Sequence, residues 1–302
     1  MWCSACVAPR APSDPHTMLT TLKQARAAVS LLSPDEVRRR ARRQVRVGLV
    51  ASGDRGYSAM EAFLLPLEMP REARLRRLAE VYRANAPDAA QTVDLVLYEE
   101  GIPRTEGTYT FREGDPQATV TQILEGNDEL ALALARTFPP FRKPAVERII
   151  HAVSRENALF AIATALPNIL PGLLEVPWAL GEFASDIAFL TANQIRMAFL
   201  IAAACGKEAG FAQQKAEVLS IVAGAFGWRA IARELVGKIP LGGSLIPKGV
   251  IAFAGTMVVG KSLEYWHRVN AHYTREQRDQ LYQDALEHGK AMAESLEAAN
   301  HS

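Results

Sequence analysis

Residues 157–181 read NALFAIATALPNILPGLLEVPWALG, and residues 182–205 continue EFASDIAFLTANQIRMAFLIAAAC. The first stretch carries no basic residue and one acid, Glu175, and it is long enough to span a bilayer. Pro167, Pro171 and Pro177, with Gly172, oppose a straight spanning helix, because proline removes a backbone donor and clashes with the preceding turn. Two readings stay open: a kinked, re-entrant or hairpin insertion into a membrane, or a buried hairpin in a soluble core. The second stretch reads as an apolar helix whose polar residues are ordered. Glu182, Asp186, Asn193 and Arg196 fall within a narrow arc at the helical period. That arc is either the wet stripe of an amphipathic helix or a buried polar seam, in which charges must be paired to be tolerated. Asp186 and Arg196 are separated by roughly 15 Å along a helix axis. In a seam each therefore needs its own partner on a neighbouring helix, with Arg233, Glu234 and Lys238 as candidates.

Working outward, the chain of 302 residues is 49% apolar and 22% charged, with a net charge of +1, a globular composition with no overall signal for nucleic acid. Three cysteines, Cys3, Cys6 and Cys205, cannot build a disulfide framework and point to a reducing compartment. Residues 1–32 read as a weakly ordered tail without an export signal, and either Met1 or Met18 serves as the start. Ser33-Pro34-Asp35-Glu36 has the form of a capping box and opens a helix with Arg38, Arg39, Arg40, Arg42 and Arg43. These arginines are either a solvated face or an attraction for anionic lipid. RNA is disfavoured because no aromatic residues interleave to stack bases.

Val45–Ala51, then Ser52-Gly53-Asp54-Arg55-Gly56-Tyr57-Ser58, then the helix-like 59–65 give a strand, a glycine-containing loop and a helix, which is the context of a phosphate loop. On the pattern G-x-x-x-x-G-K-[ST] the first Gly has become Ala51 and the Lys has become Tyr57. A phenol cannot supply the cation that reaches the phosphates. The segment resembles the opening of an Era-like bacterial GTPase domain and reads equally as an ordinary strand–turn–helix. Further along, 71–85 reads as an amphipathic helix with Leu75, Leu78, Ala79 and Tyr82 on one face. Val93–Tyr98 reads as a buried strand ending in Glu99 and Glu100, a solvated edge or a weak metal candidate. Residues 109–111 and 118–124 are strand candidates, and the proline-dense run 139–144 reads as a boundary. The fold class expected is α+β: a small α/β lobe over 33–138, an apolar helical domain over 145–272, and a C-terminal surface helix over 273–302. Thr274 and Gln277 supply the capping box of that last helix.

Asp186 with Leu190-Thr191-Ala192-Asn193-Gln194, then 201–206 (IAAACG), Ala225-Phe226-Gly227, Lys238-Ile239-Pro240 and Ala254-Gly255-Thr256 with Gly260-Lys261 carry a resemblance. The segment 147–267 resembles the bacterial family of unknown function to which YcjF belongs, and more distantly the EcsC family. Where the usual pattern has Tyr-Gly, this chain has Cys205-Gly206. The resemblance implies an accessory, membrane-associated helical domain, in contact with lipid and coupled to a GTPase or another helical protein; the location expected is the cytoplasmic side of a bacterial inner membrane or, alternatively, the cytoplasm. It supplies no catalytic residues, cofactor or metal ligands.

Gly255–Ser262 matches G-x-x-x-x-G-K-[ST] literally, through Gly255, Gly260, Lys261 and Ser262. A working loop needs a strand before it and further strands after it. Residues 248–254 run into the motif without a break, and the 40 residues after Ser262 read as helix. The two glycines then serve close helix packing. The histidines, His151, His267, His272, His288 and His301 among them, show no metal-ligand spacing. Two functions of different class follow: a non-enzymatic membrane or partner-binding module, and a nucleotide-binding enzyme using Gly255–Ser262.

Overall fold

The structure is a computed structural model and describes residues 33–84, 93–165, 186–224 and 246–300. It is α+β, with a four-stranded parallel sheet and a helical C-terminal region. The chain packs as two units: an α/β unit of residues 35–148 with 202–209, and a helical unit containing 149–201 and the residues from 210 onward.

In the α/β unit, helix α1 (Pro34–Ala41) precedes strand β1 (Val47–Val50), helix α2 (Asp54–Leu64) and helix α3 (Arg71–Leu78). Strands β2 (Val81–Arg83), β3 (Leu95–Glu99) and β4 (Tyr109–Phe111) follow, then helices α4 (Pro116–Gly126) and α5 (Asp128–Thr137). The sheet order is β2-β1-β3-β4, all parallel. All four residues of β1, VGLV, are buried, as a run apolar on both faces should be in a central parallel strand. Val47 lies opposite both Val81 and Leu95. Beneath the sheet, Met60, Leu64, Ile123, Leu124, Leu134, Phe138 and Phe141 are fully buried, and the Phe63 ring lies 5.1 Å from Phe111 and 6.4 Å from Phe141.

Three local expectations are overturned. Residues 118–124 lie in α4 rather than in a strand. Their β-branched content suggests a strand, but Asp115 accepts a hydrogen bond from the Ala118 N–H and Pro116 occupies the first turn, which together start a helix. The buried positions Thr119, Val120, Ile123 and Leu124 follow its 3.6-residue period. The helix expected over 71–85 ends at Leu78, and Val81–Arg83 becomes the edge strand beside β1. The prolines of 139–144 do not interrupt regular structure: Pro139–Phe141 is a turn of 3₁₀-helix, and α6 (Arg142–Ala165) follows at once. Proline is tolerated in a first helical turn, where amides lack partners in any case.

The remaining helices are α7 (Asp186–Ala204), α8 (Ile246–Val269) and α9 (Arg275–Asn300), and 215–224 is also helical. Helices α8 and α9 pack together across a short link in which Asn270 takes a left-handed conformation, φ 55°. Thr274 and Gln277 exchange the two hydrogen bonds of a capping box, at 2.9 and 3.2 Å. Among the described residues no helix is long and apolar enough to cross a membrane. Of the stretch 157–181, residues 157–165 belong to α6 and the others lie outside the described residues.

Candidate functional site

The order β2-β1-β3-β4 brings the C-terminal ends of β1 and β3 side by side, at the point where connections leave in opposite directions. Ligands of open parallel sheets bind in this crevice. Here it holds Ala51, Ser52 and Gly53 on one side and Glu99 on the other. Glu99 accepts hydrogen bonds from the Ser52 backbone N–H at 2.7 Å and from the Ser52 hydroxyl at 2.6 Å. These bonds, the hydroxyl's first and the amide's second, hold its carboxyl below the usual carboxylate range. The carboxylate also lies against the first turn of α2: a Cβ on Gly56 would come within 2.5 Å of its carboxyl carbon. The chain thus supplies its own anion to the mouth of the strand–loop–helix.

Tyr57, at the position of a phosphate-loop lysine, faces β2 instead. Its hydroxyl donates to the Ala84 carbonyl at 3.3 Å, and the Arg83 guanidinium lies 5.2 Å from its ring centre. Arg83 in turn makes two bonds to Glu61, at 2.7 and 3.0 Å. Tyr57 therefore helps tie α2 to the edge strand. Ala51, half-buried, directly follows β1 and begins the loop.

The depressed carboxyl of Glu99 has a definite consequence in acid. A group whose folded pKa lies below its unfolded value, about 4.3 for glutamate, stabilises fully above that value and loses the contribution as pH falls through the folded pKa. Glu99→Gln should flatten the decline of the thermal midpoint below about pH 4. Superimposable acid profiles for the two proteins would contradict this.

A second polar cluster lies inside the helical unit. Asn157 of α6 is fully buried, Asn193 of α7 is 1% exposed and Thr256 of α8 is 1% exposed. The Asn157 amide donates to the Thr256 hydroxyl at 2.8 Å and to the Leu190 carbonyl at 3.4 Å, and it accepts from Asn193 at 3.0 Å. Gln194 donates to the same Thr256 hydroxyl at 3.3 Å. Three helices therefore share one hydrogen-bonded seam, as buried amides and hydroxyls require. At its rim, Arg196 pairs with Glu156, which also accepts from Asn193 at 3.4 Å. Of the stripe expected from the sequence, Asn193 lies inside this seam and Arg196 at its edge. Asp186 opens α7, and Glu182 lies outside the described residues with Arg233, Glu234 and Lys238.

Sequence reasoning missed Asn157, Gln194 and Thr256 as members of the seam. The available signal was an isolated amide or hydroxyl in an otherwise apolar helical run. It also left the Glu99–Ser52 contact unseen, because nothing local joins residues 47 apart.

Gly255, Gly260, Lys261 and Ser262 all lie within α8. The Ser262 hydroxyl donates to the Val258 carbonyl at 2.7 Å, and Lys261 lies 3.4 Å from Glu264. A Cβ on Gly260 would stand 2.7 and 2.8 Å from the Ile150 side chain and 3.1 Å from the Met197 sulfur. The glycine is therefore the point where α8 closes against α6 and α7. Among the described residues no group of three or more His, Cys, Asp or Glu is placed to hold a metal. Four of the five arginines of 38–43 are drawn into ion pairs: Arg38 with Asp35, Arg39 with Glu36, Arg42 with Glu208 at 2.6 Å and Arg43 with Asp94 at 3.4 Å. No family model, no curated protein and no solved structure matches the chain.

Proposed function

We propose that the protein is a non-enzymatic, membrane-associated binding module. In this reading its α/β unit is a degenerate phosphate-loop lobe, and its helical unit makes the contacts with lipid or with a helical protein of a GTPase system. The observation that carries the reading is the Glu99 carboxylate on the Ser52 amide and hydroxyl. A phosphate entering there would meet a negative charge in place of free donors, and Tyr57 offers no cation to offset the repulsion. Gly255–Ser262 is a poor alternative, because amides inside a helix are already bonded to carbonyls four residues back. The membrane part of the proposal draws on the uncharged run 157–181 and on the family resemblance, which also suggests the cytoplasmic side of a bacterial inner membrane.

Calorimetry with GTP or ATP should show no binding tighter than about millimolar, worth only about 4 kcal/mol. Micromolar binding lost in Tyr57→Ala would overturn the reading of the α/β unit. Separately, cell fractionation should place the full chain with membranes, and quantitative recovery in the soluble fraction would overturn the membrane part.

A further inference from the structure

The loop after β1 is open to solvent on one side and closed by a single carboxylate on the other. Ser52, Gly53, Asp54 and Arg55 are all exposed, whereas Gly56, the next residue, is buried. The end of the Glu99 side chain stands over it. A Cβ on Gly56 would lie 2.5 Å from the carboxyl carbon and 2.6 Å from each carboxyl oxygen. One of those oxygens accepts both Ser52 donors, the amide and the hydroxyl. Glu99 reaches this place from the end of β3, where it is only half-buried.

The loop favours an anion whether or not Glu99 supplies it. The N-cap of α2 is Gly53, which has no side chain to offer the first-turn amides, and those amides lack partners within the helix. The dipole of the 11-residue helix sets partial positive charge at the same end. Without a Cβ at Gly56, an oxygen-bearing group can lie directly against the backbone. The charge of Arg55 adds to the pull on the ionised carboxyl. Asp54, the acid of that turn, is engaged on the other side of β1, with its carboxylate 3.4 Å from Arg83 on β2. A carboxylate that takes an amide and a hydroxyl above a glycine occupies the place of a phosphate group with one oxygen on the same two donors.

We propose that residues 52–56 form a working oxyanion seat that the protein fills with its own Glu99, and that a phosphate group enters the seat once Glu99 is withdrawn. Glu99 is then an internal competitor, and the loop has kept its donors. A tethered carboxylate acts at an effective concentration of about millimolar or more, so phosphate below that level leaves the wild-type seat closed. This rests on the reading of the α/β unit as a degenerate phosphate-loop lobe, and it places the defect in Glu99 and Tyr57 rather than in the backbone.

Titration of the full-length Glu99→Ala protein with inorganic phosphate, followed by its thermal midpoint, tests it. The midpoint should rise saturably, with half the effect at roughly millimolar phosphate. The wild type and Glu99→Gln should not respond in this way, because the glutamine side chain still fills the seat and its oxygen still accepts from Ser52. The general stabilisation by phosphate as an excluded salt acts on all three proteins alike, so the difference between them isolates the seat. Adding Ser52→Ala to Glu99→Ala should weaken the response about tenfold, through loss of the hydroxyl. Glu99 is half-buried at a strand end, so Glu99→Ala should keep the wild-type circular dichroism spectrum; if it does not fold, Glu99→Ser takes its place. A folded variant that responds no more than the wild type would overturn the seat and leave Glu99 as a cap on the loop. A response undiminished by Ser52→Ala would put the anion elsewhere and overturn it too, and an equal response in the wild type would overturn the competition by Glu99. Micromolar GTP binding by the wild type would instead overturn the reading on which the seat rests.

Discussion

Asn157→Ala is expected to destabilise the helical unit by about 2–4 kcal/mol, measured as a lower midpoint in urea at unchanged slope. The substitution removes the residue that bridges α6, α7 and α8. Asn193 keeps only its 3.4 Å contact with Glu156, and Thr256 keeps only the amide of Gln194. Each buried group left short of a partner costs about 1–3 kcal/mol, and the space vacated by the amide adds a cavity term. Gln280→Ala, which loses only an exposed bond to Asp284, should stay within about 0.5 kcal/mol of wild type. Equal midpoints for the two variants would mean that water reaches the seam.

Gly260→Val is expected to cost about as much by the opposite route. Its Cβ would overlap Ile150, fully buried and branched at the contact, and crowd the fully buried Met197. Overpacking a closed core costs about 1–3 kcal/mol. The roughly 1 kcal/mol that a helix gains when glycine becomes alanine does not offset it, because valine adds two methyl groups to the clash. Gly114→Ala meets nothing within 4 Å and should unfold with wild type. A Gly260→Val protein as stable as wild type would show that α8 can slide away from α6.

What was legible in the residues depended on how far apart the interacting partners lie. VGLV as a strand and Thr274 with Gln277 as a cap follow from rules that act within a few positions, and so does the α+β class. The helix at 116–126 was misread because Val, Thr and Ile outweighed a proline and an aspartate that set its start. Leu75 and Leu78 have the spacing of a core-facing stripe, yet the helix turns them outward; periodicity assigns a face without saying which way it looks. Glu99 meets Ser52 across 47 residues, and Asn157 meets Thr256 across 99. Contacts at such range leave no pattern in a single chain. Glu99 was correctly placed at a strand end, but its role depends on a register that only the folded sheet supplies.

The α/β unit is not continuous in sequence. It includes residues 202–209, where Gly206 ends α7 in a left-handed conformation and Glu208 receives both Arg42 and Arg136. Arg136 also donates to the Lys207 carbonyl at 2.7 Å. During synthesis, residues 35–148 therefore precede the piece that pairs with those two arginines. That piece follows some sixty residues later, roughly 3–12 s at ordinary elongation rates. Through that interval Arg42 and Arg136 lack their Glu208 partner, and the ion pairs that tie 202–209 to the rest of the unit form only once α7 has been made.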